Sequence, residues 1–276
     1  NYTIIKKEPL NFTPIIKNNW NYYPTYQEYI AIMIAFADSF PDICKTHHLG
    51  TLNSGREIVI VQISDNVGQK ENKPSFLYTS SMHGDELAGY ILSLRLIDYI
   101  LNGYDNNPRL TDLVNNIDIW INPLANPNGA YFGGNQDVWS ATRYNANWVD
   151  LNRNYPDPED GPHPDGNPYQ EETNIFLGLA DSINFSMAAN MHGGAEVCNY
   201  PWETWSILTA DDNWWQYVST EYADSCQVNS GNGYFNYLNN GITNGWDWYE
   251  VNGGRQDYMN YFKYCREFTL ELSDEK

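Results

Sequence analysis

Residues 75–103 read SFLYTSSMHGDELAGYILSLRLIDYILNG. The first six, 75–80, are rich in aromatic and β-branched residues and predict a strand. From Asp85 to Leu101 apolar residues recur at helical spacing, and Asn102-Gly103 offers a C-cap. A strand feeding a helix is the unit from which α/β sandwiches are built. Between the two, His83 and Glu86 stand three positions apart. Taken alone, that pair reads first as the solvated opening of a helix, where acids are favoured. A metal-ligand role requires a third ligand from elsewhere and a use for the metal.

The rest of the chain repeats the alternation. TYQEYIAIMIAFADSFPD (25–42) is an amphipathic helix with Tyr26, Tyr29, Ile30, Met33, Ile34 and Phe36 as its apolar positions, stopped by Pro41. REIVIVQIS (56–64), IDIWIN (117–122), NFSMAANMH (184–192) and REFTLELS (266–273) predict strands. YQEETNIFLGLADSI (169–183) and DDNWWQYVSTEYADSC (211–226) predict helices. The stretch from Pro123 to Pro168 is dense in Asn, Gly, Pro and Asp, and a loop of that length inside a compact domain is usually functional or mobile. The expected fold is a three-layer α/β/α sandwich around a central mixed, largely parallel twisted sheet.

At 276 residues the chain is most simply one domain, 1–276. Its 35 acids against 15 bases give a net charge of −20, a field that repels nucleic acid and anionic membranes and draws cations. The 22 Tyr and 10 Trp point to an aromatic surface or cleft in addition to a core. No stretch approaches the ~20 apolar residues of a membrane span. The opening NYTIIKKEPL has no signal-peptide apolar core, so the chain reads as mature or trimmed. Cys44, Cys198, Cys226 and Cys265 lack the spacing of a cysteine zinc site and are left as two disulfides in any pairing, or none. Acceptor triplets at Asn1, Asn11 and Asn184 accord with a secreted protein.

Ligands of an open α/β sheet gather at the carboxyl ends of its strands. His83 lies just beyond one predicted strand, and His192 ends another, followed by Gly193-Gly194. His83, Glu86 and His192 then form a His2Glu set, which suits a catalytic zinc with one open position. His47 and His48 fall in a loop-like region and His163 in the Pro-rich loop, so all three are expected at the surface. A zinc hydrolase also needs a base. Glu271 stands in the apolar FTLEL strand, where an acid either faces water at a sheet edge or is held at a site with its charge matched; both remain open.

Six ordered blocks carry a resemblance over nearly the whole chain: HGDE, NPLANPNGAYFGGN, TRYNANWVDLNRNYP, NMHGGAEVCNYPW, GITNGWDWYEVNGGRQD and FTLELS. The chain resembles the M14 zinc carboxypeptidases. GITNG and DLNRNYP resemble the regulatory branch (carboxypeptidases N, E, M and D) and not the digestive one. The resemblance implies one zinc ion per chain on His83, Glu86 and His192, with Glu271 as general base. It implies that Arg143 steadies the oxyanion, that Asn152 and Arg153 grip the substrate's terminal carboxylate, and that Tyr249 closes over it. The bland alternative for Arg153 is a surface salt bridge.

For the side-chain pocket, the resemblance implies Glu203, where the family commonly has Asp, with Gln256 assisting. A solvent-facing loop acid is the alternative for Glu203. Arg255 departs from the family pattern and would neutralise Glu203 if it pointed into the pocket. The implied partners are peptide or protein C-termini, chiefly basic ones, handled by a monomer with no nucleic acid and no membrane span. In this branch a β-sandwich normally follows LELS, so the chain is expected to be a catalytic domain cut from something longer, or a lone-domain relative. Three other functions share parts of the pattern. A peptidoglycan stem-peptide carboxypeptidase would use the same zinc machinery. A dead scaffold relative would lose ligands or base, and all four are present. A small-molecule deacylase fits DLNRN and WYEVNGG poorly.

Overall fold

The computed structural model describes residues 20–69, 71–231 and 233–275. Within it the 75–103 segment is a strand, Ser75–Ser80, and a helix, Ala88–Gly103. The helix starts three residues later than its pattern suggests, because residues 81–87 make a separate turn. Ser81 takes a left-handed φ of 55°, and its hydroxyl donates to the Glu86 carbonyl at 3.1 Å. The Asn126 side-chain amide donates to the Met82 carbonyl at 3.1 Å and ties the turn to the neighbouring loop. A Cβ on Gly84 would sit 2.3 Å from the Gly129 carbonyl carbon, so only glycine permits this approach.

Among the described residues eight strands form one sheet: β1 (Cys44–Thr51), β2 (Glu57–Ile63), β3 (Ser75–Ser80), β4 (Asp118–Asn122), β5 (Phe185–His192), β6 (Ala195–Tyr200), β7 (Ile242–Asn244) and β8 (Arg266–Ser273). Their order is β1-β2-β4-β3-β5-β8-β6-β7. The inner β4-β3-β5-β8 run is parallel, whereas β1–β2, β2–β4 and β6–β8 are antiparallel. The sheet is therefore mixed with a parallel centre, as expected.

Alternation along the strands feeds two faces. Val59, Val61 and Ile63 of β2 pack with the helices Tyr26–Ser39, Ala88–Gly103 and Pro108–Asn116, while Ile58 and Ile60 pack on the opposite side with Glu171–Ser182 and Arg255–Lys263. The Tyr26–Ser39 helix opens with a Thr25/Glu28 capping box and buries Tyr26, Tyr29, Met33 and Phe36. Ile34, read as apolar-face, is exposed, one step of about 100° away from that stripe.

Several expectations change. His47 and His48 lie on strand β1 and not in a loop; the polar sequence CKTHHLGT suits an edge strand, which among the described residues pairs only with β2. His163 is on an exposed loop as expected, its ring 4.4 Å from that of Tyr169. The 123–168 stretch is mostly irregular, with short turns of helix at Pro127–Ala130 and Leu151–Arg153. All four cysteines are free thiols, and burial pushes those of Cys44 and Cys198 up to about 12. Asn184 is exposed; Asn1 and Asn11 lie outside the described residues. Among the described residues no helix is long and apolar enough to cross a membrane.

One register row explains why this sheet carries polar chemistry. Asn122 of β4 pairs with Thr79 of β3, Thr79 with Asn190 of β5, Asn190 with Thr269 of β8, and Thr269 with Asn199 of β6. All five are buried. One step of two residues further towards the strand ends, His192 pairs with Glu271. The parallel register thus lifts a ligand and a carboxylate together above a polar floor.

Candidate metal centre and substrate cleft

His83, Glu86 and His192 are buried, and their ligating atoms lie within 4.8 Å of one another. His83 Nδ1 is 3.0 Å and His192 Nδ1 2.8 Å from the same Glu86 oxygen, Oε2, and the two Nδ1 atoms are 3.1 Å apart. These separations match donors closing on one small ion with bonds of about 2 Å. Burial opposes the charged form of Glu86, yet hydrogen bonds to His192 and His83 hold its carboxyl well below the usual range. A buried carboxylate facing two imidazole nitrogens is the donor chemistry of zinc, so the residues fit the ion that the sequence implies.

The set is held from behind. The other ring nitrogen of His83, Nε2, is 3.0 Å from Asp150 Oδ1, and Arg143 Nε donates to Asp150 Oδ2 at 2.9 Å. Asp150 also accepts the Asn152 backbone N–H at 2.9 Å, capping the Leu151–Arg153 turn. One carboxylate therefore fixes a ligand's tautomer, the position of Arg143 and the entry to DLNRN. Sequence reasoning quoted Asp150 inside that motif without giving it a role. Asp150→Asn is expected to weaken metal affinity about 10- to 100-fold, read by competitive chelator titration.

Glu271 does not face water at an edge. Strand β8 has neighbours on both sides, and Glu271 is 7% exposed. Its side chain shares a face with Glu267 and Thr269, while Phe268, Leu270 and Leu272 enter the opposite core.

A cavity of about 210 Å³ opens beside the ligands. His83, Glu86, His192, Arg143, Asn152, Glu203, Tyr249 and Glu271 all line it, joined by Asn199 and Thr269, which sequence reasoning missed. Asn199 was hidden because β6 was not predicted, and Thr269 because it reads as ordinary strand. Gln256 is buried behind this wall, its amide donating to Asn199 Oδ1 at 3.4 Å. Arg153 is half-buried and does not line the cavity; its guanidinium donates to the Asn152 carbonyl at 2.8 Å. Tyr249 is half exposed; burial and the Glu203 and Glu271 carboxylates push its hydroxyl up to about 12.

Glu203 is buried, not a solvent-facing loop acid. Asn199 donates to its Oε1 at 3.2 Å, and its Oε2 has no hydrogen-bond partner. The loop is pinned by Asp257, which accepts the backbone N–H groups of Glu203 and Thr204 at 2.9 and 2.8 Å. Burial and the Asp257 carboxylate push Glu203 up.

Arg255 does not neutralise it. Its guanidinium turns the other way and binds Glu267 with two hydrogen bonds, of 2.9 and 3.1 Å, in a fully buried pair. Glu267→Ala leaves that cation without a counter-charge and is expected to cost about 3–5 kcal/mol of stability, measured by denaturant unfolding.

The family described as zinc carboxypeptidase, peptidase M14, matches residues 29–276. The chain belongs to that family. It is 37% identical over 252 residues to carboxypeptidase D of Homo sapiens, covering 86% of this chain and 18% of that protein. It is 34% identical over 259 residues to carboxypeptidase M of Mus musculus, covering 88% of this chain and 57% of that protein. These relatives accord with the regulatory branch. The fold is that of the crystal structure of the carboxypeptidase A from Helicoverpa armigera, with a TM-score of 0.78 at 22% identity over 96% of this chain and 68% of that one. The chain thus spans less than a fifth of carboxypeptidase D and a little over half of carboxypeptidase M.

Proposed function

We propose that this domain is a zinc metallocarboxypeptidase that releases single residues from peptide or protein C-termini and prefers Lys or Arg. The observation that carries the reading is the buried His83–Glu86–His192 set, beside Glu271, in one cavity with Glu203, whose Oε2 has no hydrogen-bond partner.

When bound, zinc supplies Lewis-acid polarisation of the scissile carbonyl and lowers the pKa of water. Glu271 takes the proton of the attacking water and passes it to the leaving amine. Arg143, steered by Asp150, faces the charge that develops on the carbonyl oxygen. Asn152, Arg153 and Tyr249 bind the terminal carboxylate. An internal peptide bond would leave the Arg153 guanidinium without its anion, which makes the activity an exopeptidase by positioning. Glu203, backed by Asn199 and Gln256, receives the cationic side chain. A location outside the cytoplasm belongs to the same reading, supported by the exposed acceptor Asn184.

The test is a set of peptides that differ only in a C-terminal Lys, Arg, Phe or Glu, each also made as the C-terminal amide. Lys and Arg peptides are expected to be cleaved fastest, amides not at all, and all turnover is expected to stop on chelation and return with zinc. Equal cleavage of all four would remove the basic preference, and cleavage of amides would remove the exopeptidase reading.

A further inference from the structure

Four hydrogen bonds converge on a carboxylate to which the activity proposed above gives no role. Asp157 is buried in the long Asn- and Pro-rich loop, four residues after Arg153. Its Oδ1 accepts the backbone N–H groups of Glu159 and Asp160 at 2.8 and 2.9 Å, which closes its own turn. The same oxygen accepts from the Thr204 hydroxyl at 3.2 Å, and Oδ2 accepts the Gly253 N–H at 2.9 Å.

The two outward bonds end close to residues assigned to the substrate. Thr204 directly follows Glu203, and Gly253 lies four residues after Tyr249. The Tyr155 N–H donates to the Gly253 carbonyl at 3.0 Å, and a Cβ on Gly253 would sit 2.4 Å from the Arg153 carbonyl oxygen. The Val251 N–H donates to the Glu203 carbonyl at 3.2 Å, and the Thr204 hydroxyl is also 3.0 Å from Asn252 Oδ1. The 249–254 segment is therefore clamped between the Arg153 turn and the Glu203 loop, and Asp157 joins all three.

These segments lie outside the strands and the longer helices. Without a regular ladder, their backbone groups take their positions from side-chain acceptors. The two ends of a bound terminal residue would be read from different segments, its carboxylate by Asn152, Arg153 and Tyr249 and its side chain by Glu203. The distance between the two readers depends on what ties the segments, and buried hydrogen bonds hold it fixed. We propose that Asp157, through Thr204 and Gly253, is a positioning residue that sets this distance, so that the pocket selects its side chain by length. This role rests on the carboxypeptidase reading and deepens it.

The test compares peptides that differ only in a C-terminal Arg, Lys or ornithine, which carry the cation at three different reaches. The wild-type protein is expected to favour its best length over its worst by roughly tenfold or more in kcat/KM. Asp157→Asn sets an amide nitrogen against a backbone donor, and Thr204→Val removes the hydroxyl at nearly constant shape. In both variants the ratio is expected to fall to about two, while Thr204→Ser keeps the wild-type ratio. General damage to the fold would slow all three peptides alike and leave the ratio in place. A ratio near one in the wild-type protein, or an undiminished ratio in both variants, overturns the role. Hydrogen exchange reads the tie without turnover. The Gly253 N–H is held by Asp157 and not by Thr204, yet in Thr204→Val it is expected to exchange roughly tenfold faster. Unchanged exchange there overturns the tie. Failure of the carboxypeptidase reading shows separately, as no release from any of the three peptides by the wild-type protein.

Discussion

Glu271→Gln is expected to lower kcat by about a thousandfold or more while the protein still binds one zinc ion. The amide has nearly the shape of the carboxylate but cannot accept the water's proton. Its position opposite His192 in the parallel register, beside the ligands and not among them, is the reason metal content should be spared. Metal analysis together with single-turnover kinetics checks this. Full activity in the variant would sink the assignment of the base, and loss of zinc would show that Glu271 holds the metal site together.

Glu203→Gln is expected to lower kcat/KM on Lys- and Arg-ended peptides by roughly thirtyfold or more, the equivalent of about 2 kcal/mol for one partner of a desolvated charge pair. Peptides with a neutral C-terminal side chain should change little, because the amide fills the same space. A pH dependence accompanies this. Burial, Asp257 and Glu267 raise the Glu203 carboxyl, Arg153 lowers it, and Tyr249 and Glu271 face the same cavity. A raised carboxyl is neutral at the pH where an ordinary glutamate is ionised, and a cationic side chain needs the anion. Activity on basic peptides should therefore rise with pH from the ordinary carboxylate range up to the raised value, more steeply than on neutral ones. Parallel pH profiles for both peptide types, or a preserved difference in Glu203→Gln, would remove Glu203 as the cation's partner.

Much of the fold was readable because its signals are local. The 75–80 and 266–273 strands were predicted with the bounds now seen, since alternation and β-branched residues report a strand without reference to its neighbours. The misses have a common cause. Strand β1 reads as polar because it is an edge, with one neighbour to pair with among the described residues. The Arg255–Lys263 helix escaped notice because Arg255, Gln256 and Asp257 are buried polar residues, so its inward face does not look apolar. The same inversion hid Asn199 and Thr269, whose burial depends on the polar row across β4, β3, β5, β8 and β6.

The sequence by itself determined the α/β class, the family and the residues that could bind zinc, because motif order and short-range periodicity survive without three-dimensional information. The tertiary structure alone decided which face each polar side chain joins. It set Glu271 beside His192, gave Asp150 to His83, closed the pocket around Glu203 and sent Arg255 to Glu267. A strand alternates between two faces, and a charge finds its partner across the chain, so these outcomes depend on register and packing between segments far apart in sequence.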